Sequence, residues 1–276
     1  MPAPPDVRIL PAVDYLRTRM PFTPAIVLVL GSGLSRVAEQ CTAILGVDYS
    51  EIAGFPTCSV EGHPGRLFFG TWRGIQLAIL QGRGHRYEGH TLEVVTRPVR
   101  TLAALGARIL ITTCAAGTLN GADPGTVFLI DDHLNLMGDS PLLGMTDILG
   151  GSSRFVEMAD AYDAQLRTIA VDAAREAAVT FQRGVMACVT GPAYETAAEA
   201  EMLRRLGAQA VNMSVVPEVI AARACGQRVL GLAILTNQSG SPIGSSAGHG
   251  EVIAVAKRSG DAMAAVLDGV FRRFPA

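Results

Sequence analysis

Six short apolar runs punctuate the chain, and each stops at a glycine-rich or polar cluster. Residues 26–30 run into Gly31-Ser32-Gly33, 77–80 into Gly82-Arg83-Gly84-His85, and 109–113 into Cys114-Ala115-Ala116-Gly117. Further on, 127–130 lead to Asp131-Asp132-His133, 185–189 to Gly191-Pro192, and 229–235 to Thr236-Asn237. The runs lack the polar alternation of half-exposed strands, so they read as strands of a mostly parallel sheet with both faces covered. Helical segments lie between them. Thr196 and Glu199 form a capping-box pattern ahead of 200–206, with Gly207 as the stop. Residues 163–178 and 251–271 are longer helical candidates. Strand alternating with helix predicts an α/β fold. The expectation is a single domain over residues 1–276, with a central mostly parallel, mixed β-sheet flanked by helices, a length that suits one such unit.

In open α/β sheets, ligands bind beyond the carboxyl ends of the strands. The polar clusters fall there, which pools them into one candidate site. Several chemistries are excluded at once. Lys257 is the only lysine and precedes Arg258, so there is no Walker A loop, and a Schiff base would depend on Lys257 alone. The net charge is −2 with no basic run, which disfavours a nucleic-acid partner. The five cysteines form no CxxC pair, so neither a zinc site nor a disulfide framework is expected. No GxSxG elbow supports a serine hydrolase. Apolar residues make up 49% and charged ones 17%, enough for a sizeable core. The longest apolar run, 25–30, falls far short of the roughly 20 residues of a membrane span. Prolines and early charges replace a signal peptide's apolar segment, so a cytoplasmic location with no membrane partner is expected. The Ser- and Gly-rich stretch 239–250 reads as a mobile loop near the site.

The clusters suggest what the site handles. A turn such as Gly31-Ser32-Gly33 offers backbone N–H groups and a hydroxyl to an oxyanion; a plain strand-to-helix turn is the alternative. Arg83 and His85 share one side of extended chain, and a guanidinium fork beside an imidazole suits phosphate. The competing reading is a solvated basic loop. His63, in Glu61-Gly62-His63-Pro64-Gly65, reads by itself as a surface histidine. His133 resembles part of a metal cluster, but no second histidine has zinc-site spacing, so strand-end hydrogen bonding is expected instead. Tyr194 and Glu195 put a ring beside a carboxylate at a helix start. Either Glu195 complements the helix dipole, or Tyr194 lies against a flat ring whose N–H groups Glu195 accepts. Met213 by itself reads as core packing. Asn237 can donate and accept at once, which matches a purine edge.

Taken together, the segments resemble the trimeric purine nucleoside phosphorylase family, which also includes methylthioadenosine phosphorylases. From about Gly31 to Val252 they appear in that family's order. They comprise Gly31-Ser32-Gly33-Leu34, Gly62-His63-Pro64-Gly65, Gln81-Gly82-Arg83, Tyr87-Glu88-Gly89, Ala115-Ala116-Gly117, Asp132-His133, Gly191-Pro192, Met213-Ser214 with Val216-Pro217-Glu218-Val219, and Thr236-Asn237. The resemblance implies a phosphate site of Ser32, Arg83, His85, Ser214 and the Ala115 N–H, with His63 close by. It implies ribose contacts from Tyr87, Met213 and His249. Glu195 and Asn237 would read the purine edge, and Tyr194 would stack on the base. Phe155 would be lent across a subunit boundary in a homotrimer. Asn237, Glu195 and His85 are the expected catalytic groups. Phosphate is a co-substrate, and no metal or organic cofactor is needed.

The activity so implied is reversible phosphorolysis of 6-oxopurine nucleosides such as inosine and guanosine. Their N1–H is a donor for an ionised Glu195, whereas adenine's bare N1 would leave that carboxylate unmatched. The sequence departs from the family pattern at Gly84, Cys114, Thr118 and Asn212. Asn212 is more like the methylthioadenosine enzymes, but Asn237 and His249 are not. Three rivals are a methylthioadenosine phosphorylase, a phosphate-independent nucleoside hydrolase and a non-catalytic nucleoside-binding protein.

Overall fold

In chain order the elements are α1 (Leu10–Arg17), β1 (Ile26–Leu30), β2 (Thr42–Asp48), β3 (Arg66–Trp72), β4 (Ile75–Gln81), α2 (Leu92–Val95), α3 (Arg97–Ala104), β5 (Ile109–Thr118), β6 (Val127–Asn135), α4 (Ala164–Glu176), β7 (Phe181–Cys188), α5 (Ala197–Arg205), β8 (Ala210–Asn212), α6 (Val215–Ala224), β9 (Arg228–Gln238), α7 (His249–Arg258) and α8 (Gly260–Arg272). The structure, a computed structural model, describes residues 7–145, 155–241 and 249–274. The strands form a mixed sheet in the order β2-β3-β4-β1-β5-β8-β7-β6-β9, and β9 also pairs with β5. The half from β5 to β9 therefore closes on itself, while β2, β3 and β4 extend the sheet outward.

The unbroken apolar run of β1 has the expected cause. All five residues are buried. Val27 and Val29 enter a core shared with α1, α3 and α6. Ile26, Leu28 and Leu30 enter a second core on the opposite face, shared with α4 and α8. β1 pairs in parallel with β4 and β5, and β5 in parallel with β9. The antiparallel pairs are β2–β3, β3–β4, β5–β8 and β6–β9. β3 and β4 are joined through Arg73 and Gly74, both at positive φ (53° and 80°), as a tight hairpin turn demands.

Local signals set several helix ends. Asp163 caps α4 by accepting from Leu166 N at 3.0 Å. Thr196 and Glu199 complete both halves of the capping box on α5. The single helix expected over 251–271 is instead two, α7 and α8, because Ser259 departs from helical geometry (φ −93°, ψ 3°). Ser followed by Gly is a weak helix pair, and the chain turns there. Among the described residues no helix is long and apolar enough to cross a membrane.

Candidate active site

The carboxyl ends of β1, β4, β5 and β9 converge on one cleft. β1 leads to Ser32, and β4 leads to Arg83, His85 and Tyr87. β5 itself supplies Cys114, Ala115, Ala116 and Gly117. The β8–α6 junction contributes Asn212, Met213 and Ser214, and β9 contributes Thr236 and Asn237. Tyr194 and Glu195, just ahead of α5, and Val252 of α7 complete the wall.

The end of the cleft lined by Ser32, Arg83 and His85 is built in layers. His63 is buried, not the surface histidine that its loop by itself suggests. Its Nε2 lies 3.0 Å from Ser32 Oγ, and its Nδ1 lies 3.0 Å from the Arg83 carbonyl. Nδ1 also receives the Arg83 N–H at 3.3 Å, so the ring proton can sit on either nitrogen; on Nε2 it is donated to Ser32 Oγ, whose own proton is then left for a ligand. Burial, with help from His85 and Arg83, pushes the His63 imidazole down to about 3, so it is neutral at ordinary pH. His63, His85 and Tyr87 stack face to face, with centroids 5.0 Å and 4.6 Å apart.

His85 Nδ1 lies 2.7 Å from Glu88 Oε1, and Glu88 also accepts from Ser59 N at 2.7 Å and Ser59 Oγ at 2.6 Å. Burial by itself would raise the Glu88 carboxyl, but these donors outweigh it and bring it to about 2. Burial also lowers His85, so its ring is neutral without a ligand. Nδ1–H then belongs to Glu88, and Nε2 is the ring atom left for a ligand. A phosphate arriving beside Nε2 favours the imidazolium, since an opposite charge stabilises the charged form.

Arg83 is 3% exposed and heavily engaged. Its Nε and Nη2 donate to Glu218 at 2.7 and 3.0 Å, Nη2 also donates to Thr112 Oγ1 at 2.9 Å, and Nη1 donates to the Thr113 carbonyl at 2.8 Å. Thr112 in turn donates to Glu218 Oε2 at 2.6 Å. The fork that the sequence offers to phosphate is thus occupied by Glu218. Of the five guanidinium N–H groups, one on Nη1 remains for a ligand. Burial works against the Arg83 charge, but Glu218 more than offsets it.

At the opposite end, Asn237 Oδ1 accepts from the Thr236 hydroxyl at 2.9 Å, which leaves its Nδ2 as a donor for the cleft. Asn212 Oδ1 caps the start of α6, accepting from Ser214 N at 2.9 Å and Val215 N at 3.3 Å. Cys114 lines the cleft as a neutral thiol, raised by burial to about 12.

Of the residues singled out from sequence, ten line this one cleft: Ser32, Arg83, His85, Tyr87, Ala115, Tyr194, Glu195, Met213, Ser214 and Asn237. His63 stands one layer behind Ser32. Phe155 does not line it and is 85% exposed. His249 opens α7, and its side chain lies outside the described residues. His133 is bonded to the Tyr162 hydroxyl (3.1 Å), as strand-end hydrogen bonding predicts. Among the described residues no group of three or more His, Cys, Asp or Glu is placed to hold a metal. Sequence reasoning gave no role to Glu88, Glu218, Thr112 or Val252. Glu88 had a signal, at capping distance from His85. So did Glu218, a carboxylate inside the buried apolar run of α6, where a charge needs a partner. Thr112 and Val252 look like ordinary strand and helix residues.

The chain belongs to the phosphorylase superfamily: a family model of that description matches residues 25–272. Curated relatives of the chain include purine nucleoside phosphorylases. Purine nucleoside phosphorylase 1 of Geobacillus stearothermophilus is 43% identical over 243 residues, which cover 88% of each chain. The purine nucleoside phosphorylase of Rattus norvegicus is 43% identical over 231 residues, covering 82% of this chain and 80% of the relative. Among solved structures, a schistosoma purine nucleoside phosphorylase in complex with hypoxanthine superimposes with a TM-score of 0.88 at 32% identity, covering 97% of both chains.

Proposed function

We propose that the protein catalyses reversible phosphorolysis of 6-oxopurine nucleosides and their deoxy forms, yielding the free base and (deoxy)ribose 1-phosphate for purine salvage. One observation carries the reading: a single cleft is lined both by Ser32, Arg83, His85, Ala115 and Ser214, groups suited to an oxyanion, and by Glu195 and Asn237, groups suited to a purine edge. Breaking the glycosidic bond loads negative charge on the purine and positive charge on the sugar. Asn237 Nδ2 donates to the purine as charge builds near N7. Phosphate, held by the remaining Arg83 N–H, the two serine hydroxyls, His85 and the Ala115 N–H, stabilises the sugar cation and attacks the anomeric carbon. Holding the reactants in line supplies up to ~7–11 kcal/mol. Tyr87 and Met213 hold the ribose, with His249 near its 5′-hydroxyl, and Tyr194 covers the base. The step needs no metal or organic cofactor.

We further propose a cytoplasmic homotrimer in which the exposed Phe155 covers the sugar of a neighbouring site. Its solution mass would be three times the 28.9 kDa chain. The experiment is a substrate panel of inosine, guanosine, adenosine and methylthioadenosine with phosphate. An unmatched buried N1 costs about 1–3 kcal/mol, so kcat/KM for inosine and guanosine should exceed that for adenosine by roughly 5- to 150-fold. Preference for methylthioadenosine would overturn the 6-oxopurine reading.

A further inference from the structure

We propose that Ser239 is a positioning residue that sets the Glu195 carboxylate and, through it, the preference for bases that carry N1–H. The inference rests on the purine-edge reading of Glu195. Ser239 directly follows β9 and is buried. Its backbone N–H donates to the Thr118 carbonyl at 2.9 Å, extending the β5–β9 ladder. Its hydroxyl donates to Glu195 Oε2. That bond is the only side-chain hydrogen bond Glu195 makes among the described residues.

The placement follows from the strand. A register shift between Ala116 and Gly117 re-aims the end of β9. Asn237 and Ser239, two residues apart, share one face, and both lie over Gly117. A Cβ on Gly117 would come within 3.3 Å of Ser239 Cβ and 3.6 Å of Asn237 Nδ2. On the far side, a Cβ on Gly240 would overlap Ala200 Cβ, so the chain is held against α5, the helix that Glu195 precedes. One strand end thus presents two polar groups. Asn237 lines the cleft itself, and Ser239 acts through Glu195.

The chemistry makes this a specificity device. A serine hydroxyl has one proton. Given to Oε2, it fixes the plane of a side chain with three torsions and leaves Oε1 to accept from the base. It also denies that proton to any ligand. A base with a bare N1 meets an acceptor oxygen, and neither Ser239 group can supply a donor. Its backbone N–H is in the ladder, and its hydroxyl is committed to the carboxylate.

The test is Ser239→Ala, read by inosine phosphorolysis with both substrates varied, by calorimetric binding of hypoxanthine and of adenine, and by thermal unfolding. The expected result is a rise of about tenfold in the inosine KM and in the hypoxanthine Kd, equivalent to about 1.4 kcal/mol. The phosphate KM should stay within about twofold, and adenine binding should not weaken, narrowing the hypoxanthine-to-adenine ratio. Unchanged hypoxanthine binding would overturn the assignment. So would parallel losses in both KM values with a lowered unfolding temperature, which mark a merely structural role. If the wild type fails to phosphorolyse inosine, the proposed activity fails, and the two binding measurements still decide the role of Ser239.

Discussion

Replacing Glu218 with Gln tests how the oxyanion end stores its charge. Glu218 and Arg83 are 2% and 3% exposed and share two hydrogen bonds of 2.7 and 3.0 Å, with Thr112 as a third member. Glutamine keeps the volume but removes the charge, so the guanidinium is left buried beside an amide. Breaking one partner of a buried pair costs about 3–5 kcal/mol. At this chain size each kcal/mol lowers the unfolding temperature by roughly 2–4 °C, so the variant should melt roughly 6–20 °C lower. A phosphate bound beside Arg83 would supply the missing negative charge. In a thermal-shift titration at constant ionic strength, phosphate should therefore raise the variant's midpoint by more than the wild type's, because tighter binding to the native state gives the larger shift. A loss under about 2 °C, or equal phosphate shifts in the two proteins, would refute the view that Glu218 balances the Arg83 charge.

Two further outcomes follow from the same geometry. Asn237→Ala should lower kcat by roughly 10²–10³, the usual cost of one transition-state donor, while the phosphate Kd from calorimetry stays unchanged; equal losses in both would remove its leaving-group role. His63 is neutral when folded, with its pKa lowered by burial from 6.5 to about 3. The unfolded chain binds that proton below pH 6.5, and the folded one does not until about pH 3. The His63 contribution should thus be flat above pH 6.5 and fall by about 1.4 kcal/mol per pH unit below it. Urea melts of wild type and His63→Asn between pH 7 and 5 should show a shallower acid slope in the variant; parallel slopes would contradict the assignment.

Much of the fold was legible because burial on both faces writes itself into the chain. The runs at 26–30 and 229–235 have no polar alternation, and each lies within a strand packed on both sides. The capping box at Thr196 marked the start of α5 because its signal is local. β2 and β3 were not legible. β2 is an edge strand, largely exposed, with a register shift between Ala43 and Leu45, so it carries no apolar run. The break at Ser259 was hidden by continuous helical periodicity on both sides. At the site, Arg83 and His85 stood out as polar residues after a strand. The partners that set their charge come from 135 residues away for Arg83, and no spacing rule reaches that far. Ser239 was visible only as part of a Ser- and Gly-rich stretch, because its contact with Glu195 spans 44 residues.

The proposed reaction is direct group transfer from a purine nucleoside to phosphate held in the same cleft. Its most direct test is hypoxanthine release from inosine with and without inorganic phosphate, with the sugar product followed by phosphorus NMR. Release is expected only with phosphate, with one ribose 1-phosphate formed for each hypoxanthine. Release at the same rate without phosphate, giving free ribose, would contradict it.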